Sequence, residues 1–167
     1  MKNIILTLLV LCTFTMNTQA QTFVREFDSK TEKPLLRGQI TFEDITTESA
    51  FSWIYDEYES SPIIVSKLKD LLPKYRIVVF IGTWCEDTQY LLPQLFQTLK
   101  DASFDFNALE MYGVNRAKKG LNSEHQIYNI QKVPTIIIMD RFKEVGRIVE
   151  SVESTIEKEL LDILEAY

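Results

Sequence analysis

Only two cysteines and a single histidine stand among the 167 residues. With His125 the only imidazole, itself expected as an exposed helix residue, a metal centre lacks its usual ligands, and no metal site is expected. Five glycines and five prolines are too few for a fibrous or disordered chain. Positive charge is also scarce: 18 Lys and Arg stand against 24 Asp and Glu, a net charge of −6. That balance disfavours nucleic acid and anionic membrane surfaces as partners. No apolar run reaches the roughly 20 residues that a membrane-spanning helix needs. Internal repeats and low-complexity linkers are missing too. What remains is an ordinary composition, 46% hydrophobic and 25% charged, on a length that suits one domain with a real core.

The longest apolar run lies at the start. Lys2 is followed by Ile4 to Phe14, broken only by Thr7, Cys12 and Thr13, and Ala20 closes the stretch on a small residue. This is the pattern of a secretory signal peptide cleaved after Ala20, which predicts an exported, periplasmic protein with no stable membrane insertion after processing. A lipid anchor at Cys12 is the weaker alternative, because Leu11 before it is large and the cysteine sits inside the apolar run. Removing residues 1–20 takes Lys2 and no acid, leaving 17 basic against 24 acidic residues. It also leaves Cys85 as the sole cysteine. A lone thiol in an oxidising compartment is either a reactive site or a buried, inert small hydrophobe.

Periodicity divides the remainder. Thr22-Phe23-Val24 and Gln39-Ile40-Thr41-Phe42 read as short strands around the polar stretch Asp28 to Lys33. Residues 47–58 read as a helix carrying Phe51, Ile54, Tyr55 and Tyr58, and Ile63 to Leu72 as a second, closed by Pro73. Arg76 to Gly82 is a continuous β-branched and aromatic run, the mark of a buried strand. A helix follows from Glu86 to Asp101 around Pro93. Then come a strand at 109–114, a short helix at 123–130, a strand at 133–139, a turn at 140–143 and a strand at 144–150. A last helix starts at Ser154, which reads as its N-cap. The order β-α-β-α-β-β-α predicts an α/β fold with a central mixed sheet and helices on both faces.

Trp84-Cys85-Glu86-Asp87-Thr88 sits at the first strand-to-helix junction of that order. A cysteine there meets the unpaired N–H groups and positive dipole end of a helix, which favour thiolate. Glu86 and Asp87 oppose it by like charge. The loop resembles the W-C-x-x-C loop of the thioredoxin superfamily with threonine at the second cysteine. Pro93 and Val133-Pro134-Thr135 extend the resemblance, since they match the family's helix proline and its cis-proline loop. The likeness covers residues 60–166, so residues 60–167 are expected to form a thioredoxin-like domain behind an N-terminal extension at 21–59.

The resemblance implies that Cys85 is the nucleophile. Trp84 would shield one side of the sulfur. Asp87 would serve the helix end or orient an incoming thiol, and the Thr88 hydroxyl, one turn on, would hydrogen-bond the sulfur. Val133 and Pro134 would bind an extended substrate segment by strand addition. The family's proline loop tends to deny the cysteine to metals, and no cofactor is implied. Two departures bear on mechanism. Thr88 removes the resolving thiol, and Val79 stands where thioredoxins often bury an aspartate. Both affect release, so a single thiol can attack but cannot resolve within its own chain.

Three functions stay open. One is an exported monothiol oxidoreductase whose mixed disulfide an external thiol resolves. The second is a module that captures partners reversibly through Cys85, and the third a domain that works by protein contact alone. The expected partners are protein or small-molecule thiols and disulfides. The retained Trp84-Cys85 pair favours the two thiol readings, because a purely structural domain has no need of that sulfur.

Overall fold

The computed structural model describes residues 22–55 and 57–167. The expected leader and Cys12 lie outside them. Phe23–Asp28 (β1) and Lys33–Ile40 (β2) form an antiparallel hairpin with Asp28 opposite Lys33. Glu32, at φ +54°, turns the chain and donates its N–H to the Asp28 carbonyl at 2.9 Å. The two strands expected in this segment are therefore longer, and they pair. Thr41 does not extend the second strand: it caps a short helix, Phe42–Thr46 (α1), in a reciprocal capping box with Asp44.

The helix expected at 47–58 is instead a 3-10 segment, Ser49–Tyr55, broken at Phe51 (φ −112°, ψ 40°). Phe51 and Ile54 are both buried, and a spacing of three suits the 3-10 repeat. Pro62–Leu71 (α2) begins with proline in its first turn, where the missing N–H costs nothing. Arg76–Ile81 (β3), Glu86–Asp101 (α3) and Leu109–Gly113 (β4) follow. Glu124–Ile127 (α4) is shorter than expected because Asn129 takes a left-handed conformation at φ +51°. Thr135–Asp140 (β5) and Lys143–Val149 (β6) make the closing hairpin, and Ile156–Ala166 (α5) ends the fold. Thr155 rather than Ser154 caps α5, its side chain accepting from Lys158 N–H.

The six strands form one sheet in the order β1-β2-β4-β3-β5-β6, with β3 and β4 parallel and every other pair antiparallel. The alternation of β3 splits the core in two. Ile77, Val79 and Ile81 join the larger cluster with residues of α1, α2, α3 and α5. Val78 and Phe80 join the smaller one with Val114, Ile130, Val133, Ile137 and Met139, on the face that α4 and its flanking chain cover. The sheet is thus mixed and flanked by helices on both faces, as expected, but one face carries most of them.

Strand direction decides what gathers at one edge. The parallel strands β3 and β4 both end there, so the loops after Ile81 and Gly113 meet. The antiparallel β5 begins at the same edge, directly after Val133-Pro134. Strand β2 pairs with β4 only through Gly38, Gln39 and Ile40. Its first half, with the turn at Asp28, therefore overhangs the edge. The N-terminal segment belongs to the sheet and reaches the loops that carry Cys85.

Candidate functional site around Cys85

Cys85 is the N-cap of α3, in extended conformation (φ −96°, ψ 126°). Its N–H donates to the Gly82 carbonyl at 2.8 Å, and its carbonyl accepts from Gln89 N–H at 3.1 Å. The sulfur is half-buried and free. In the thiol form it faces two acceptors, the Val133 carbonyl at 3.3 Å and the Asp87 carboxylate at 3.9 Å. Val133 is buried, and the Val133–Pro134 peptide bond is cis. The structure thus brings Cys85, Asp87, Val133 and Pro134 together from positions 48 residues apart.

Trp84 folds back across Gly82. A Cβ on that glycine would lie 2.7 Å from the indole, which explains a residue without a side chain there. The indole N–H donates to the Val114 carbonyl at 2.9 Å, tying the Cys85 loop to the loop after β4. Thr83, also buried, tightens the turn from both sides. Its hydroxyl accepts from Leu36 N–H on β2 at 3.3 Å, and its carbonyl accepts from Gln89 Nε2 at 3.1 Å.

Thr88 has a different partner from the one expected. The side chain is fully buried and its hydroxyl accepts from the Gly82 N–H at 3.3 Å. Gly82 lies just past the end of β3, where the sheet no longer supplies an acceptor for that N–H, so the threonine oxygen completes it. The residue at the resolving position thus holds the turn closed. Val79, at the position where thioredoxins often bury an aspartate, is fully buried in the larger apolar cluster. His125, expected as an exposed helix residue, is half-buried and accepts from Gly120 N–H at 3.2 Å through Nδ1.

Residues outside the motif complete the site. Asp28, buried in the overhanging turn, accepts two hydrogen bonds from Arg116, from Nε at 2.8 Å and from an Nη at 2.7 Å. Hydrogen bonding from Arg116, then from Thr31, holds its carboxyl well below the usual carboxylate range against the opposing effect of burial. Hydrogen bonding to Asp28 in turn raises Arg116 further above its ordinary value, against the opposing effect of burial. The Arg116 guanidinium lies over the Trp84 ring at 4.8 Å, and the Lys118 ammonium 5.4 Å from the same ring. Asn115 shapes this loop, its side-chain oxygen accepting from Ala117 and Lys119 N–H. Spacing relative to Cys85 could not reveal these groups. The one signal was the basic run Arg116-Ala117-Lys118-Lys119 in an acidic chain.

Among the described residues, no group of three or more His, Cys, Asp or Glu side chains is arranged to hold a metal ion. None of the described helices is long and apolar enough to cross a membrane. A groove of about 1200 Å³ opens elsewhere, between Phe42 of α1, Phe96 of α3 and Phe106, and its lining includes none of the residues around Cys85.

No protein-family model matches the sequence, and no curated protein matches it. Solved structures do. A Pseudomonas aeruginosa protein of unknown function aligns at TM-score 0.55 and 17% identity, over 77% of this chain and 93% of that one. Thioredoxin O2 of Arabidopsis thaliana aligns at 0.39 and 19% identity, over 62% of this chain and 83% of that one. A Fasciola hepatica thioredoxin aligns at 0.40 and 17% identity, over 60% and 88%. With a mixed sheet built on parallel β3 and β4, Cys85 at the β3–α3 junction and a cis proline leading into β5, the fold of this chain is thioredoxin-like.

Proposed function

We propose that this protein carries out thiol–disulfide exchange through the single thiol of Cys85. The observation that carries this reading is the sulfur itself: free, half-buried at the start of α3 and 3.3 Å from the Val133 carbonyl. In the forward step Cys85 loses its proton to solvent, and the thiolate attacks one sulfur of a partner disulfide. The partner's S–S bond breaks, the Cys85–S–S–partner bond forms, and the other sulfur leaves as thiolate. Thr88 offers no sulfur for the return step. An external thiolate therefore attacks the mixed disulfide and regenerates Cys85. The main chain at Val133-Pro134 would receive an extended segment around the partner's sulfur. The apolar run ahead of Ala20 supports the further proposal that this exchange takes place after export, in the periplasm.

The test is turnover of a model disulfide with excess small thiol, with and without Cys85→Ser. Turnover that disappears in the variant supports exchange. A stable mixed disulfide that excess thiol does not release would assign Cys85 to capture instead. A Cys85 that stays unmodified by disulfides and thiol reagents at neutral pH would overturn both.

A further inference from the structure

The charge around Cys85 is divided. On one side stand the exposed carboxylates of Glu86 and Asp87 at the start of α3. Against the ring of the preceding residue, Trp84, stand Arg116 and Lys118, in a chain whose net charge is −6. The two cations are not equivalent. Asp28 takes both Nε and one Nη of Arg116 and offsets its charge. Lys118 is half-buried, and its ammonium donates to the Arg116 carbonyl at 3.3 Å. Among the described residues it makes no ion pair with a carboxylate. A partly buried charge is screened less than the exposed acids opposite. The position is also built rather than incidental. Lys118 sits at φ +59° in a loop fastened by Asn115, and its neighbour Arg116 is anchored by the buried Asp28.

We propose that Lys118, with Arg116 beside it, forms an anion-recognising side of the Cys85 site, and that the disulfides exchanged there carry a carboxylate close to the sulfur. The proposal rests on the reading of Cys85 as the attacking thiol and specifies its substrate class. The chemistry is the exchange step already balanced. Lys118 takes no proton and forms no bond, but raises the encounter rate and residence of an anionic disulfide over Trp84.

The experiment compares three aliphatic disulfides: dithiodipropionate (anionic), hydroxyethyl disulfide (neutral) and cystamine (cationic). Rates of mixed-disulfide formation are followed by mass, each normalised to the same disulfide's rate with a simple thiol. The expected order is anionic, neutral, cationic. The anionic-to-neutral ratio should be about fivefold, the bias that one unit charge about 4 Å away gives in a water-like dielectric. It should approach unity at about 0.5 M salt, where the screening length falls to a few ångströms. Lys118→Gln should bring the ratio near one, and Lys118→Arg should retain it. Lys69→Gln, the same charge change at an exposed position on α2, should leave the ratio unaltered. An equal ratio in the native protein and Lys118→Gln, or a preference for cystamine, overturns this inference alone. Absence of reaction with hydroxyethyl disulfide overturns the exchange reading and this inference with it.

Discussion

Replacing Asp87 by asparagine should make Cys85 react faster, and the size of the gain follows from the distance between the charges. The carboxylate lies 3.9 Å from the sulfur and is exposed. Two unit charges about 4 Å apart in a water-like dielectric repel by about 1 kcal/mol, roughly a fivefold factor. The sulfur keeps only about half of a full negative charge in the transition state, as a Brønsted coefficient of about 0.4–0.5 implies. About half of the logarithmic factor is therefore removed with the carboxylate, so alkylation by iodoacetamide at neutral pH should rise by about twofold to threefold. The advantage should shrink with added salt. Glu86→Gln, whose carboxylate makes no hydrogen bond to the sulfur, should change the rate less. Losing an acid from the first helical turn lowers stability separately, by about 0.3–1 kcal/mol, and thermal denaturation reads that cost independently. A rate that falls in Asp87→Asn would refute the argument, since it would make Asp87 a base or orienter for the thiol rather than a repelling charge.

Thr88→Val should lower stability by about 1–3 kcal/mol, measured by urea denaturation, because the Gly82 N–H loses its buried acceptor; Thr88→Ser should restore most of the loss. Thr88→Cys should form a disulfide between Cys85 and the introduced thiol on mild oxidation, seen as the loss of two free thiols, and two titratable thiols after oxidation would count against it. Gly82→Ala should displace Trp84, since the added Cβ meets the indole at 2.7 Å, and a change in tryptophan fluorescence reports it. Acid should weaken the fold partly through Glu157. Burial pushes its carboxyl up, but hydrogen bonds from Tyr58 and from Ser61 N–H outweigh this and hold it below its ordinary value. The stability it confers is complete above the unfolded carboxylate range, about 4.3, and fades as pH falls below it. Glu157→Gln should flatten the acid limb of a stability profile between about pH 5 and pH 3, and an unchanged limb would exclude this residue.

Much of the fold was legible because its signals are local. The apolar run at 76–82 could only be a buried strand, and the structure places Arg76–Ile81 at the centre of the sheet. The helix from Glu86 to Asp101 was expected with the bounds observed. Errors fell where two local choices are nearly equal in energy. Ser154 and Thr155 are both good caps, and the tertiary path selects Thr155. Residues 47–58 have helical spacing, yet burial of Phe51 and Ile54 is met by a tighter 3-10 path.

By itself the sequence determined the order of elements from β3 to α5, the junction that holds Cys85, and the loss of a second thiol at Thr88. Those follow from periodicity, turn chemistry and residue identity, all properties of neighbours in the chain. The tertiary structure alone decided what surrounds the sulfur. Thr88 turns inward to Gly82, Trp84 crosses to Val114, and Asp28 reaches Arg116 from 88 residues away. Strand direction is the reason. Once β3 and β4 run parallel and β2 overhangs β4, the hairpin turn, the basic loop and the Val133-Pro134 segment converge on one edge, and no pattern of spacing along the chain encodes that meeting.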